Sequence, residues 1–130
     1  MAEKKILIVD DERDFVLVLS AHLKAHGYNV ISASDADEAI TAVQTDRPDL
    51  IIMDVSMPGD DGLNVLMRLK ASAHTSSVPV IMVTGLDPKA RAEAFTAGAV
   101  EFFLKPVNMD ILLECIREQF YQMVKVDQGR

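Results

Sequence analysis

The chain has a single cysteine, Cys115, which excludes an internal disulfide framework. Cys115 falls on the apolar face of the last expected helix and reads as a small buried hydrophobe rather than a reactive thiol. No segment approaches the roughly 20 consecutive apolar residues that a membrane-spanning helix needs. The N-terminus, Met1-Ala2-Glu3-Lys4-Lys5, runs at once into a short apolar stretch and lacks the apolar core of a signal peptide. These absences point to a reduced, cytoplasmic setting with no membrane partner. Positive charge is scarce as well: 13 Lys and Arg stand against 20 Asp and Glu, a net charge of −7. A surface of that sign does not suit direct binding to nucleic acid or to anionic lipid. No internal repeat, low-complexity tract or long heptad pattern is present.

What is present is 130 residues with 49% hydrophobic content, enough for one compact domain and little else. Short apolar runs alternate with helical patterns. Ile6 to Val9 reads as a strand, followed by a helix over about 13–25 whose inner stripe is Phe15, Leu19 and Leu23, widened by Val16 and Val18. Gly27 closes that helix. Tyr28 to Ala33 is a less apolar strand, interrupted by Asn29 and Ser32, and fits a sheet edge. Ser34 or Asp35 caps a second helix with Ala36, Ala39, Ile40 and Val43 inward. Pro48 precedes the strand Leu50 to Met53. A loop at Gly59–Gly62 leads to a helix with Leu63, Leu66 and Leu69 inward.

The small, polar segment Ala71–Ser77 is a loop before a fourth strand, Val78 to Val83, in which Pro79 fits only near the start. Asp87 and Pro88 predict the cap and first turn of a fourth helix that ends near Thr96. Its stripe is weak: Ala90, Ala94 and Phe95. Val100 to Phe103 is the fifth strand. Asn108 caps a last helix with Ile111, Leu112, Cys115, Ile116 and Phe120 inward. From Val124 the sequence is polar, and residues 124–130 read as a frayed tail or the start of a linker after a domain spanning 1–123.

Five strands alternating with five helices through short connections give an α/β fold, a doubly wound parallel sheet of flavodoxin-like (βα)5 type. The run Leu50-Ile51-Ile52-Met53 is apolar throughout, the mark of a central strand buried on both faces. With the second strand at an edge, the order is 2-1-3-4-5. Chemistry in such sheets gathers outside the carboxyl ends of the strands. The residues delivered there are Asp10 and Asp11, Asp54, Thr84 and Lys105. Three converging carboxylates oppose one another's ionisation unless a hard cation joins them, and an oxygen-only set points to Mg²⁺ or Mn²⁺. Asp54 has no partner base, which argues against a hydrolase. A lone carboxylate beside a cation, a lysine and a hydroxyl suits attack on a phosphoryl group. The acidic first loop, Asp10-Asp11-Glu12, argues against a nucleotide-binding module, whose phosphate site wants Ser, Thr or Gly.

The stretches Ile6-Leu7-Ile8-Val9-Asp10-Asp11, Met53-Asp54-Val55-Ser56-Met57-Pro58-Gly59-Asp60-Asp61-Gly62, Val83-Thr84-Gly85 and Phe103-Leu104-Lys105-Pro106 closely resemble the receiver domain of bacterial two-component response regulators. The resemblance covers residues 4 to 123. It implies a phosphorylation-dependent switch in which Asp54 accepts a phosphoryl group from the phosphohistidine of a sensor histidine kinase or phosphotransfer protein. It also implies that Asp10, Asp11, Asp54 and the backbone carbonyl of Ser56 hold Mg²⁺, that Thr84 and Lys105 contact the phosphoryl group, and that the Lys105–Pro106 bond is cis. Thr84 and Phe102 are the implied switch pair, with the fourth helix, fifth strand and fifth helix as the face read by an output domain or target protein. Phosphorylated receivers often pair through that face, so a monomer that associates when phosphorylated is expected. Autophosphorylation and hydrolysis of its own acyl phosphate make such a chain a catalyst only on itself. The alternative reading is a receiver-like scaffold or protein-binding module that takes no phosphate.

Where the family usually carries tyrosine, Phe102 offers packing but no hydroxyl. Ser56 and Leu86 stand at positions that flank the phosphoryl group and the attacking water. An apolar Leu86 shields an acyl phosphate, so L86E is expected to lose label from Asp54 faster than the parent in a timed hydrolysis assay.

Overall fold

The computed structural model describes the backbone of residues 3–56, 61–85 and 89–128, with side chains as far as Val124. The expected cap at Asp87 and Pro88, the Leu86 position, and Met57 to Asp60 of the central motif lie outside the described residues. The elements run β1 (Lys5–Val9), α1 (Arg13–Ala25), β2 (Asn29–Ala33), α2 (Ala36–Asp46), β3 (Leu50–Met53), α3 (Gly62–Ala71), β4 (Val80–Thr84), α4 (Ala90–Ala97), β5 (Glu101–Leu104) and α5 (Met109–Gln128). All strand pairs are parallel, in the order β2-β1-β3-β4-β5. This is the doubly wound (βα)5 architecture that the alternation of runs predicts.

Side chains alternate across the sheet and build two cores. Leu7, Val9, Ile51, Met53, Val80 and Met82 pack with α2, α3 and α4. Ile6, Ile8, Leu50, Ile52, Ile81 and Val83 pack with α1 and α5. Every residue of β3 and β4 is buried, so these strands lose both faces to water and fix the middle of the sheet. Caps follow the local sequence. Asp35 caps α2 by accepting the Glu38 backbone N–H at 2.8 Å, while Glu38 Oε1 reaches back to accept the N–H of Ser34, the residue before the cap, at 2.9 Å. Asn108 accepts the Ile111 N–H at 3.1 Å. After α1, Gly27 takes φ +87°. After α2, however, the left-handed position is held by Arg47, with φ 48°.

The structure corrects several side-chain assignments. Ile111 is 57% exposed, whereas Leu113 is buried with Leu112 and Ile116. The stripe of α5 follows Leu112, Ile116 and Phe120, and the flank facing the sheet carries Leu113. Val18 is likewise on the outer flank of α1, 49% exposed, and only Val16 joins the core. Phe95 of α4 is exposed and lies against Arg91, whose guanidinium carbon is 5.1 Å from the ring centroid. The fourth strand begins at Val80 rather than Val78, because Pro79 has no N–H for the ladder, although its carbonyl accepts from Ile51 at 3.0 Å. Finally, α5 continues to Gln128, past Val124 where the sequence turns polar. Polarity alone does not stop a helix, and neither glycine nor proline occurs between Phe120 and Gln128.

The exchange of Ile111 for Leu113 sets up a direct comparison. L113A is expected to cost about 2–5 kcal/mol, and I111A to stay within about 0.5 kcal/mol of the parent. Urea melts of the two variants measure the difference.

Candidate functional site

Register brings the acidic side chains together. Val9 pairs with Met53 on one side and Ala33 on the other, so β1 and β3 leave the sheet level with each other, at Asp10 and Asp54. The Asp54 N–H donates to the Val9 carbonyl at 2.9 Å, and the Asp10 N–H to that of Ala33 at 3.0 Å. Carboxylate oxygens of Asp10, Asp11 and Asp54 all lie within 4.8 Å of one another. Asp10 and Asp54 are buried, and Asp11 is exposed. The Asp10 Oδ1 accepts the Glu12 N–H at 2.8 Å, a local turn just ahead of α1.

Lys105 enters from the end of β5. Its backbone N–H donates to the Thr84 carbonyl at 2.9 Å, and the Lys105–Pro106 peptide is cis. Its Nζ donates to Asp10 Oδ2 at 2.7 Å and to Glu12 Oε1 at 3.2 Å, and lies 3.8 Å from Asp54 Oδ2. Thr84 is fully buried at the end of β4. Ser56 is exposed, and its N–H donates to Asp54 Oδ1 at 3.2 Å. The rim therefore gathers Asp10, Asp11, Asp54 and Lys105 in one cluster, with Thr84 on the neighbouring strand end. Phe102 is buried on the side of the sheet covered by α2, α3 and α4.

The electrostatics follow from burial and neighbours. Desolvation holds the Asp10 carboxyl above its ordinary pKa, against hydrogen bonds from Lys105 and the Glu12 N–H, and the Asp54 charge pushes the same way. Burial pulls Lys105 down, but its hydrogen bond to Asp10 and the charges of Asp10 and Asp54 outweigh this and leave it above its ordinary value. Lys105 is thus an ammonium throughout the neutral range. One ammonium faces the carboxylates of Asp10, Glu12 and Asp54 directly, with Asp11 beside them. This acidic triad is able to coordinate a metal ion, and its all-oxygen donor chemistry fits a hard divalent cation.

Three neighbours of the site were not legible as such in the sequence. Glu12 and Phe15 meet Lys105 from α1, the Phe15 ring centroid lying 4.5 Å from Nζ. The adjacency of Glu12 to Asp10-Asp11 was the available signal. Gly62, at the start of α3, packs so tightly under the site that a Cβ there would overlap the Asp54 carbonyl oxygen. Its N–H donates to the Val55 carbonyl at 2.6 Å.

Because Lys105 is bound chiefly to Asp10, removing the charge of Asp54 relieves more repulsion than it loses attraction. Without divalent ions, D54N is expected to stabilise the protein by on the order of 1 kcal/mol, a rise in melting temperature of roughly 3–6 °C. Thermal melts in chelator measure it; an unchanged or lower midpoint contradicts this balance.

Comparison with known proteins agrees with the geometry. The family described as response regulator receiver domain matches residues 6–117. Response regulator PleD of Caulobacter vibrioides is 35% identical over 127 residues, 97% of this chain but 28% of PleD. Protein PilH of Pseudomonas aeruginosa is 34% identical over 113 residues, 86% of this chain and 93% of PilH. The chain thus spans about a quarter of one relative and nearly all of another. The crystal structure of a CheY-like response regulator receiver domain protein from Methanospirillum hungatei superposes with a TM-score of 0.88 at 30% identity, covering 95% of this chain and 98% of that one. With an acidic triad at the rim of a 2-1-3-4-5 sheet and a lysine reaching into it, the chain belongs to the response regulator receiver domain family.

Proposed function

We propose that the domain is a phosphorylation-dependent switch, with Asp54 as the phosphoacceptor. The observation that supports this best is the position of Lys105 Nζ, 2.7 Å from Asp10 and 3.8 Å from Asp54, beside a triad of carboxylates within 4.8 Å of one another. In this reading a carboxylate oxygen of Asp54 attacks phosphorus, the P–N bond to a donor phosphohistidine breaks, and the imidazole leaves. Asp10, Asp11, Asp54 and the backbone carbonyl of Ser56 are the ligands for Mg²⁺, or Mn²⁺, which when bound supplies charge neutralisation at the phosphoryl oxygens. Lys105 turns part of its hydrogen bonding from Asp10 to a phosphoryl oxygen, and the Thr84 hydroxyl donates to another. The donor is a sensor histidine kinase or a phosphotransfer protein, and the setting is cytoplasmic.

The readout is packing at α4, β5 and α5. A new dianion at Asp54 draws Thr84 toward it, and the space behind is filled by Phe102. Phe102 is buried on the side of the sheet covered by α2, α3 and α4, where its ring can meet such a change. Arg91 Nη1 lies 3.5 Å from the Phe102 carbonyl, which couples α4 to this strand. An output domain or target protein reads the altered face, and two phosphorylated copies associate through it.

A small phosphodonor with Mg²⁺ is expected to add one phosphoryl group, seen by intact-protein mass spectrometry. The label is absent in D54N and absent with chelator. Label persisting on D54N places the acceptor elsewhere and refutes the assignment.

A further inference from the structure

The opposite rim of the sheet carries a cavity of about 460 Å³, where α2 and α3 meet the segments leading into β3 and β4. That size falls in the range of roughly 300–1,000 Å³ typical of small-molecule sites. Its inner wall is apolar, with Val43 and Leu69 buried and Ile40 half-buried. Arg47, Arg68 and His74, all exposed, border it. None of its lining side chains is acidic, although the chain carries 20 Asp and Glu against 13 Lys and Arg. Among the described residues no carboxylate pairs with Arg47 or Arg68. The adjacent Asp49 is engaged elsewhere, its Oδ2 accepting the Lys5 N–H at 2.8 Å.

Arg47 adds a second kind of observation. It closes α2 with φ 48° and ψ 67°, the only described residue other than glycine with positive φ. A Cβ disfavours that conformation, and glycine is the ordinary occupant. This helix end places an arginine, rather than a glycine, at the edge of the acid-free cavity.

The donors select the ligand. A carboxylate is satisfied by one guanidinium fork, whereas the three oxygens and double charge of a phosphomonoester use two forks and an imidazole N–H together. The apolar wall adds a preference for an organic body. Strands of four or five residues separate this rim from the acidic cluster by roughly 13–17 Å. That exceeds the Debye length of about 8 Å at physiological ionic strength, so repulsion of an anion here by the acidic triad is weakened by distance and salt.

We propose that this cavity is a second ligand site, which takes a small phosphomonoester: its phosphate held by Arg47, Arg68 and His74, its apolar body resting on Ile40, Val43 and Leu69. The site is independent of phosphorylation at Asp54.

Titration of the metal-free chain with phenyl phosphate, inorganic phosphate and benzoate, followed by amide chemical shifts, tests it. Phenyl phosphate is expected to give saturable shifts within residues 40–48 and 68–78, with an affinity about tenfold or more above that of the other two probes. R68A and R47G are each expected to weaken it by about tenfold, the loss of one charge-assisted hydrogen bond. Glycine accepts positive φ, so R47G is expected to melt no lower than the parent, which separates lost binding from lost folding. Four results overturn the proposal: no saturation, equal affinity for benzoate, shifts centred on Asp10, Asp54 and Lys105, or an affinity that R68A leaves unchanged.

Discussion

The structure depends on a contest that apolar burial wins at the ends of β1 and β3. Ile6, Leu7, Ile8 and Val9 on one strand, and Leu50, Ile51, Ile52 and Met53 on the other, are all essentially inaccessible to water. Burying each such side chain contributes about 1.5–3 kcal/mol. Repulsion between carboxylates about 4 Å apart is about 1 kcal/mol per pair in bulk water and about 4 kcal/mol near a protein surface, less than the summed burial of the eight side chains. The strands pair in the register that buries their apolar residues, and Asp10 and Asp54 are carried together as the next residues along. Lys105 offsets part of the resulting charge. The remainder makes the rim receptive to a divalent cation.

This ordering of energies explains what was legible in the sequence. The runs that dominate stability are contiguous, so strand identity, sheet order and the set of residues leaving the strand ends followed from the pattern. Asp10, Asp54, Thr84 and Lys105 were found because each directly follows, or closes, an apolar run. Helix flanks were harder. Periodicity locates the centre of a stripe but not which shoulder meets a neighbour, so Ile111 was taken for Leu113, and Val18 was included with Val16. Glu12 and Phe15 are not legible as partners of Lys105 because those contacts join residues ninety or more positions apart, Lys105 to Glu12 being separated by 93. Gly62 escaped for the same reason on a smaller scale: its approach to the Asp54 carbonyl exists only once the intervening loop has closed. α5 runs past the polar onset at Val124 because composition alone carries no stop signal there.

Lys105 also ties the sheet together at this rim. It follows β5, the strand at one edge, yet its ammonium is bonded to Asp10 at the end of β1, with β3 and β4 lying between. Charge added at Asp54 therefore acts on a residue anchored at both ends of that span. Any redistribution of the Lys105 hydrogen bonds is felt at the end of β5, where its backbone is held by the Thr84 carbonyl. Phe102 lies on the same strand, buried by its ring and approached at its carbonyl by Arg91 of α4. Arg91 in turn covers the exposed Phe95 ring. The contacts from acidic cluster to lysine, strand and helix form one continuous series of polar and ring interactions. Only Ala94 of α4 is buried, which leaves that helix held by few apolar contacts. Fewer large apolar residues hold α4 than hold α1 and α5, which are clamped by Leu19, Leu23, Leu112 and Ile116. The shortage of large apolar residues that loosens this packing is the same shortage that leaves the amphipathic stripe of α4 faint in the sequence.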